Sequence, residues 1–425
     1  MIETSLPSIA VLGGGPIGIE AALYGRFLGH DVKLYEQERV GHHVEKWGHV
    51  KLFTPFEMNR SPLAIAALRA QDAAWQAPEE AALLTGDEYL RRFLRPLVET
   101  DLLTGVIHEQ TRVLGVGRPH LSKSDHGCGI DRKDASFRLL LCDSTGKESV
   151  ATADAIIDAT GVYSQHCHLG RGGVPAQGER QLASDINYQI PFIGKDRSCR
   201  FAGRHALVVG GGYSAATSVV ALAALAESVP ETRISWVVRR PRGKEGAPLF
   251  EIPGDPLQER VHLTDRANRL AMGSDAAVNY LPHRTVEAVR RLRGSGAFEV
   301  ELCSMREAAD DLNRPVTCDS ILAHVGFRPD CTLFSELQVQ LCHVSEAPMK
   351  LAVHLVEQSA TDCLGQEVPS GNLLVTSEPN YFLIGNKSYG RDARFLISMG
   401  LEQVRQVFAS IRGDANLDLY RTMKE

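Results

Sequence analysis

Two glycine-rich turns are the stretches of this sequence whose residue types and spacing could do chemistry. The first, GGGPIG at residues 13–18, follows the apolar run Ile9 to Leu12 and precedes a helical stretch that Gly29 can close. A glycine turn between a buried strand and a helix offers backbone N–H groups and the positive end of the helix dipole to a phosphate. The sequence therefore predicts that this turn holds the pyrophosphate of a dinucleotide.

Each glycine of the first turn has its own expected task. Gly13 permits the tight turn, Gly15 allows the backbone to approach a pyrophosphate, and Gly18 lets the helix pack closely on the strand. Glu36 ends the next strand, where a carboxylate can accept hydrogen bonds from ribose hydroxyls. The predicted binding residues here are Gly13, Gly15, Pro16, Ile17, Gly18 and Glu36.

The second glycine turn repeats the pattern but ends in basic residues. Ala206 to Val209 is an apolar run, GGGYSA follows at residues 210–215, and the next strand ends at Arg239 and Arg240. A guanidinium group can hold a ribose 2′-phosphate, which a carboxylate would repel, so this turn favours NADPH over NADH. The alternative is a solvated basic patch. The predicted binding residues are Gly210, Gly212, Tyr213, Ser214, Ala215, Arg239 and Arg240.

Other candidate site residues lie outside the glycine turns. A single strand predicted over Ala151 to Ile157 leads into Thr160-Gly161, and another short strand is followed by Gly385-Asn386; both places could let a ligand lie against bare backbone. No general acid or base is predicted. Trp47, His49 and Lys387 are the candidates for facing a bound ring system. His166-Cys167-His168 suggests a metal site, but alternate residues of a strand point apart and no second ligand pair has matching spacing, so no metal is predicted.

Composition excludes several classes of protein. The 425 residues carry a net charge of −6, which does not suggest nucleic-acid binding. No apolar run is long enough for a membrane span, and the first strand begins too early for a signal peptide to precede it. The 9 cysteines contain no C-x-x-C, which indicates a reducing compartment, here the cytoplasm, and no dithiol centre. The sequence does not reveal the oligomeric state.

Together these pieces resemble the glutathione-reductase-like superfamily of flavoproteins with two dinucleotide-binding domains, and within it the flavin-containing and N-hydroxylating monooxygenases. The resemblance rests on the two glycine turns with Glu36 and Arg239, the strand end at 158–161, the GFRPD turn at 326–330, and Gly385-Asn386 before a C-terminal helix. It implies FAD on the first turn and NADPH on the second. Relatives usually carry Asp at the place of Asn386, and Asn can still bond a ribityl hydroxyl.

The resemblance also implies the architecture. We expect an α/β fold with two Rossmann-like, three-layer ββα domains, the second inserted into the first. The first part of the FAD-binding domain is expected over residues 1–195, with a helical insertion at about 60–105. The NAD(P)H-binding domain is expected over 196–328, and the remainder of the FAD-binding domain over 329–425.

The expected function is that of an NADPH-dependent FAD oxidoreductase, monooxygenase-like, which passes hydride from NADPH to FAD and on to oxygen or a small-molecule substrate. The fingerprint of flavin-containing monooxygenases is half present: Phe192 and Gly194 fit, but Ser198 and Ala202 replace a histidine and an aromatic residue. A reductase for a quinone, ferredoxin or disulfide acceptor therefore stays open. So do a non-catalytic flavin-bound redox sensor and a dehydrogenase with NAD(P) as its single cofactor.

Overall fold

The chain forms two compact units. A computed structural model describes residues 6–125, 131–305, 315–358, 362–367 and 369–423. The first unit combines Met1–Gln165 with Phe327–Glu425, and the second consists of His166–Gly326. The second unit is therefore inserted into the first, as the family resemblance implied.

Strands alternate with helices around each glycine turn, whereas β-strands follow one another elsewhere in the chain. The strands are β1 (Ile9–Leu12), β2 (Val32–Tyr35), β3 (Ile107–His108), β4 (Thr111–Gly117), β5 (Phe137–Asp143), β6 (Glu148–Ala153), β7 (Ala155–Asp158), β8 (His205–Val209), β9 (Arg233–Val238), β10 (Val278–Pro282), β11 (Arg284–Arg291), β12 (Phe298–Ser304), β13 (Val316–Cys318), β14 (Ser320–Ala323) and β15 (Tyr381–Leu383).

The two longest helices have 16 residues each; one follows the second glycine turn and the other lies near the C-terminus. They are α1 (Pro16–Phe27), α2 (His42–Lys46), α3 (Pro62–Gln71), α4 (Gly86–Tyr89), α5 (Arg95–Val98), α6 (Tyr213–Ser228), α7 (Gln258–Arg269), α8 (Met349–Glu357), α9 (Gly371–Leu374), α10 (Ile397–Arg412) and α11 (Leu419–Thr422).

The first unit is built on a parallel sheet with the strand order β15-β7-β1-β2-β3. Strands β1 and β7 are buried along their whole length, as expected for a sheet covered on both faces. The pairing of β1 with β2 and with β7 brings the residues after all three strands to one edge. The carboxyl edge of a parallel sheet is where ligands bind in such folds.

A small antiparallel sheet, β4-β5-β6, covers part of this unit, and here the sequence prediction needs a correction. The single strand expected over 151–157 is two strands. β6 pairs with β5 in the antiparallel sheet, whereas β7 pairs with β1 in the parallel sheet. The chain turns between them because the Ser8 carbonyl accepts from the N–H groups of both Asp154 and Ala155, at 3.0 and 3.1 Å.

The expected helical insertion consists of short pieces rather than long helices. α3 starts at Pro62 and is capped by Ser61, whose hydroxyl accepts from the Ala64 N–H at 2.9 Å. α4, a π-helical turn over Leu90–Leu94, and α5 follow one another directly. Their apolar side chains join the core of the first unit, so this layer packs against the parallel sheet.

The second unit has its own parallel sheet, with the strand order β10-β9-β8-β14, and an antiparallel sheet, β11-β12-β13. It begins at His166, earlier than the boundary expected at 196, and ends at Gly326 rather than 328. The reason is packing: Leu169, Ala176 and Ile186 are buried in the core formed by β8 and the antiparallel sheet.

A buried acid in the first unit gives a stability prediction. Glu20 on α1 is 3% exposed, and burial raises the pKa of its carboxyl group from 4.5 to about 7. The folded protein holds this proton more tightly than the unfolded chain, so stability falls as pH rises from about 4.5 to about 7. Glu20→Gln is expected to flatten this fall and to raise the free energy of unfolding at about pH 8 by up to roughly 3 kcal/mol.

Urea unfolding of both proteins across this pH range measures the effect. Glu99→Gln changes an exposed carboxylate and is the matched control, which should keep the pH dependence of the wild type. Parallel pH profiles for wild type and Glu20→Gln would contradict the prediction.

Candidate functional site

The first glycine turn is held by backbone contacts that admit no side chain. Gly13 has φ +97°, and a Cβ there would lie 2.8 Å from the Ala159 carbonyl oxygen. A Cβ on Gly18 would lie 1.9 Å from the Gly13 carbonyl oxygen. These glycines are therefore required for α1 to pack against the ends of β1 and β7.

Gly15 is different, because a Cβ at this position would meet no atom within 4 Å. Gly15 is the N-cap of α1, makes no side-chain capping bond and precedes Pro16 at the start of the helix. Ile17 is 6% exposed, so it can offer only its backbone to a ligand. The space above Gly15 and the open helix N-terminus fit a pyrophosphate. A pyrophosphate placed there would approach the backbone closely, as the glycine motif predicts.

Glu36 lies directly over this turn. Its carboxylate accepts from the Gly14 N–H at 2.6 Å and from the Glu38 N–H at 2.9 Å. Burial raises the pKa of this carboxyl group, and the two N–H groups counter part of that rise. Each carboxylate oxygen has a second lone pair, so Glu36 can still accept from ribose hydroxyls.

The end of β7 is organised by a buried carboxylate, Asp158. One of its oxygens accepts from the N–H and the hydroxyl of Thr160, at 3.1 and 2.7 Å. The other accepts from the Tyr381 hydroxyl at 2.8 Å and from the Lys387 ammonium at 2.7 Å. A Cβ on Gly161 would meet no atom within 4 Å, so the turn after Asp158 is open for a ligand.

Lys387 therefore occupies a place that the sequence did not suggest. Its side chain is 1% exposed and its ammonium also donates to the Thr160 hydroxyl at 2.8 Å. Both partners hold the Lys387 ammonium inside the protein, so its side chain does not extend from the loop into solvent. Its role is to join the turn after β7 to the turn after β15.

The turn after β15 is the third part of the carboxyl edge. Gly385 has φ +66° and donates its N–H to the Gln403 side chain on α10 at 2.8 Å. Gln403 also donates to the Ser388 hydroxyl at 3.0 Å, which fixes the loop against the helix. Asn386 is only half-buried, so its amide is available to a ligand.

The remaining ring-facing candidates lie in the loop after β2. Trp47 is half-buried and lies against Gly86, where a Cβ would meet its ring at 2.5 Å. His49 is exposed. The sequence did not single out a pair of rings at this sheet edge: the ring of His43 lies 5.9 Å from that of Tyr163, which follows β7. The signal for it was that both loops leave the same sheet edge.

The second glycine turn, between β8 and α6, has the same construction. Gly210 has φ +142°, and a Cβ there would lie 2.2 Å from the His324 carbonyl oxygen. A Cβ on Gly212, the N-cap of α6, would meet no atom within 4 Å. Tyr213, Ser214 and Ala215 form the first turn of α6, so their N–H groups lie at its open end.

Arg239 and Arg240 follow β9 and are both exposed. Within the described part of the chain neither guanidinium group forms an ion pair with a carboxylate. Two cations beside a glycine turn are available to a phosphate, which is the arrangement that the NADPH prediction requires.

The described residues contain neither a metal-binding cluster nor a membrane-spanning helix. No group of three or more His, Cys, Asp or Glu side chains there could hold a metal ion. His166 stacks on Tyr188 at 3.5 Å between ring centroids, and His168 lies 3.7 Å from the Glu179 carboxylate. No helix in these parts of the chain is both long and apolar enough to cross a membrane.

Solved structures share this fold. Bacillithiol disulfide reductase Bdr from Bacillus cereus matches with a TM-score of 0.66 at 16% identity, over 96% of this chain and 99% of that one. Thioredoxin reductase from T. acidophilum gives 0.56 at 14% identity, over 95% and 98%. The ornithine N-hydroxylase of Kutzneria sp. 744 gives 0.54 at 14% identity, over 96% and 99%. At these identities the likeness shows the fold alone.

A search of curated protein sequences finds no significant match. The family model described as pyridine nucleotide-disulphide oxidoreductase matches residues 7–346, which include both glycine turns. This family uses FAD and NADPH, the two cofactors that the glycine turns predicted. The resemblance stated from the sequence is thus confirmed, and the chain belongs to the pyridine nucleotide-disulphide oxidoreductase family.

Proposed function

We propose that this protein is an NADPH-dependent FAD oxidoreductase, with FAD in the first unit and NADPH in the second. The observation that carries the proposal is the pair of glycine turns with opposite charge beside them. Glu36 stands over the first turn, whereas Arg239 and Arg240 follow the strand beside the second. A carboxylate suits free ribose hydroxyls, and guanidinium groups suit a phosphorylated ribose.

The proposed cofactor contacts follow from the geometry. Backbone N–H groups at Gly15 would hold the FAD pyrophosphate, Glu36 its ribose, and the open turns at Gly161 and Asn386 its ribityl chain. When bound, the flavin accepts hydride from NADPH and releases the electrons to an acceptor. The chain's own residues bind and orient the cofactors, and no side chain is proposed as a general acid or base.

The nucleotide preference is testable at Arg239. Arg239→Glu removes a charge-assisted bond to the 2′-phosphate, which contributes about 1.5–3 kcal/mol, and adds repulsion. We expect the Kd for NADPH to rise at least tenfold, with a much smaller change for NADH. Titration of both nucleotides, with exposed Arg180→Glu of the same unit as control, measures this. Equal losses for NADPH and NADH would mean that Arg239 does not bind the 2′-phosphate.

We propose that the overall reaction is that of a monooxygenase. In this reaction NADPH, a proton, oxygen and substrate give NADP⁺, water and the oxygenated substrate. Two observations support it. The sequence has no C-x-x-C dithiol, and the solved structures of this fold include an N-hydroxylase.

The second candidate reaction is that of a reductase. Here NADPH and a proton reduce a small disulfide to two thiols, or a quinone to a hydroquinone. The disulfide form is favoured by the fold shared with Bdr, at a TM-score of 0.66. A protein without C-x-x-C would need another way of reaching a disulfide, so we place this form second.

The absorbance spectrum of the purified protein and its response to NADPH test the proposal. A flavin spectrum that bleaches when NADPH is added without oxygen supports it. A colourless protein, or a flavin that NADPH does not bleach, contradicts it and favours a single-cofactor dehydrogenase or a redox sensor. Oxygen uptake equal to NADPH consumed, with little peroxide when substrate is present, selects the monooxygenase form.

A cytoplasmic location is part of the proposal. The cysteines within the described residues are all free, as expected in a reducing compartment.

A further inference from the structure

Three rings from three chain segments meet at the carboxyl edge of the first unit. The His43 and Tyr163 rings are 5.9 Å apart, and the Tyr163 and Phe327 rings are 4.9 Å apart. His43 belongs to the loop after β2, Tyr163 follows β7, and Phe327 is the residue at which the chain re-enters this unit. The ring-facing candidates named from the sequence were Trp47, His49 and Lys387 rather than these three residues.

This ring group lies beside the first glycine turn. The Gly41 N–H, just before His43, donates to the Gly14 carbonyl oxygen at 2.9 Å. Tyr163 stands two residues after Gly161, whose Cβ position is open. The rings and the proposed FAD contacts therefore share one sheet edge.

The surroundings of the two ring nitrogens of His43 indicate which of them carries the proton. Nδ1 is buried and has no partner among the described residues. A buried N–H without an acceptor is costly, so the favoured tautomer carries its proton on Nε2. Nε2 makes no hydrogen bond within the described part of the chain. It is therefore a donor without a protein acceptor.

The imidazole is also neutral at physiological pH. Burial, with smaller contributions from Lys46 and His42, lowers the pKa of His43 from 6.5 to about 4. A neutral imidazole donates a hydrogen bond without adding charge, which suits an oxygen that becomes negative as a ligand is reduced.

We propose that His43 donates from Nε2 to a carbonyl oxygen of a planar ring, which Tyr163 and Phe327 flank. This rests on the proposed function. This carbonyl oxygen belongs either to the flavin ring itself or to a carbonyl-bearing electron acceptor such as a quinone. With a quinone the overall reaction is NADPH, a proton and quinone giving NADP⁺ and hydroquinone.

His43→Ala, His43→Gln and Tyr163→Leu test the proposal on the holoenzyme, with exposed His120→Ala as control. The measurements are the flavin reduction potential against a reference dye, the flavin absorbance spectrum, and the KM for menadione. Glutamine keeps a neutral donor, so His43→Gln is expected to retain most of the wild-type value. His43→Leu also removes the donor while filling much of the space of the ring, so it carries the test if His43→Ala does not fold.

For a flavin ring, His43→Ala is expected to shift the ratio of reduced to oxidised flavin about tenfold towards oxidised, equivalent to a potential lower by about 30 mV. Tyr163→Leu should alter the flavin spectrum. For a separate acceptor, the potential stays unchanged and the KM for menadione rises about tenfold with kcat retained. Unchanged potential and unchanged KM in a folded variant without the donor, His43→Ala or His43→Leu, would overturn the inference.

These outcomes are separable from failure of the proposed function. If His43 does not have the proposed role, the His43 variants still contain flavin, and NADPH still bleaches it as in the wild type. Failure of the proposed function is seen in the wild-type protein itself, as absence of bound flavin.

Discussion

Replacing Lys387 by methionine is expected to lower the free energy of unfolding by about 3–5 kcal/mol, because it leaves a buried carboxylate without its cation. Asp158 is 0% exposed and Lys387 is its only ion-pair partner among the described residues. That loss is a large part of the roughly 5–15 kcal/mol by which domains are stable. We expect aggregation or a lower unfolding midpoint in urea, together with loss of bound FAD.

Two further variants make this result specific. Asp158→Asn combined with Lys387→Met removes both charges and is expected to recover most of the stability, because no uncompensated charge remains. Arg91→Met breaks an exposed pair with Asp87, whose side chains are 58% and 52% exposed, and should cost less than about 1 kcal/mol. A Lys387→Met protein within about 1 kcal/mol of the wild type would disprove the buried-pair argument.

Gly15→Ala is expected to weaken FAD binding at least tenfold while the apoprotein stays folded. Gly15 has φ −80° and ψ 178°, which alanine adopts without strain, and its Cβ would meet no protein atom within 4 Å. The methyl group would instead fill the space in which the pyrophosphate approaches the backbone. We expect at least a tenfold rise in the Kd for FAD, about 1.4 kcal/mol or more, with an unchanged thermal midpoint of the apoprotein.

Gly18→Ala is the matched contrast in the same turn. Its Cβ would lie 1.9 Å from the Gly13 carbonyl oxygen, so the backbone must move and folding itself should suffer. The second turn offers the same pair, with Gly212→Ala blocking NADPH and Gly210→Ala disturbing the fold. Circular dichroism separates folding from binding. Normal FAD affinity in Gly15→Ala would place the pyrophosphate elsewhere.

The expectation that the second unit is inserted into the first came from the family resemblance. The sequence by itself determined the two segments in which a glycine turn joins a strand to a helix, and the residues of both turns. These features are local: a buried strand, a glycine turn and a helix within one short segment specify the backbone, largely independently of the rest of the chain. It misjudged the segment 151–157, because alternation in sequence does not show which sheet a strand joins.

Only the tertiary structure decided which side chains meet at the sheet edge. Lys387 and Asp158 are 229 residues apart in sequence, yet their charged groups lie 2.7 Å apart. His43 and Tyr163 likewise come from loops after different strands. Such pairs depend on strand order, which residue types and spacing do not encode. A lysine beside a glycine turn therefore suggested a ligand contact, whereas folding buries it against a carboxylate.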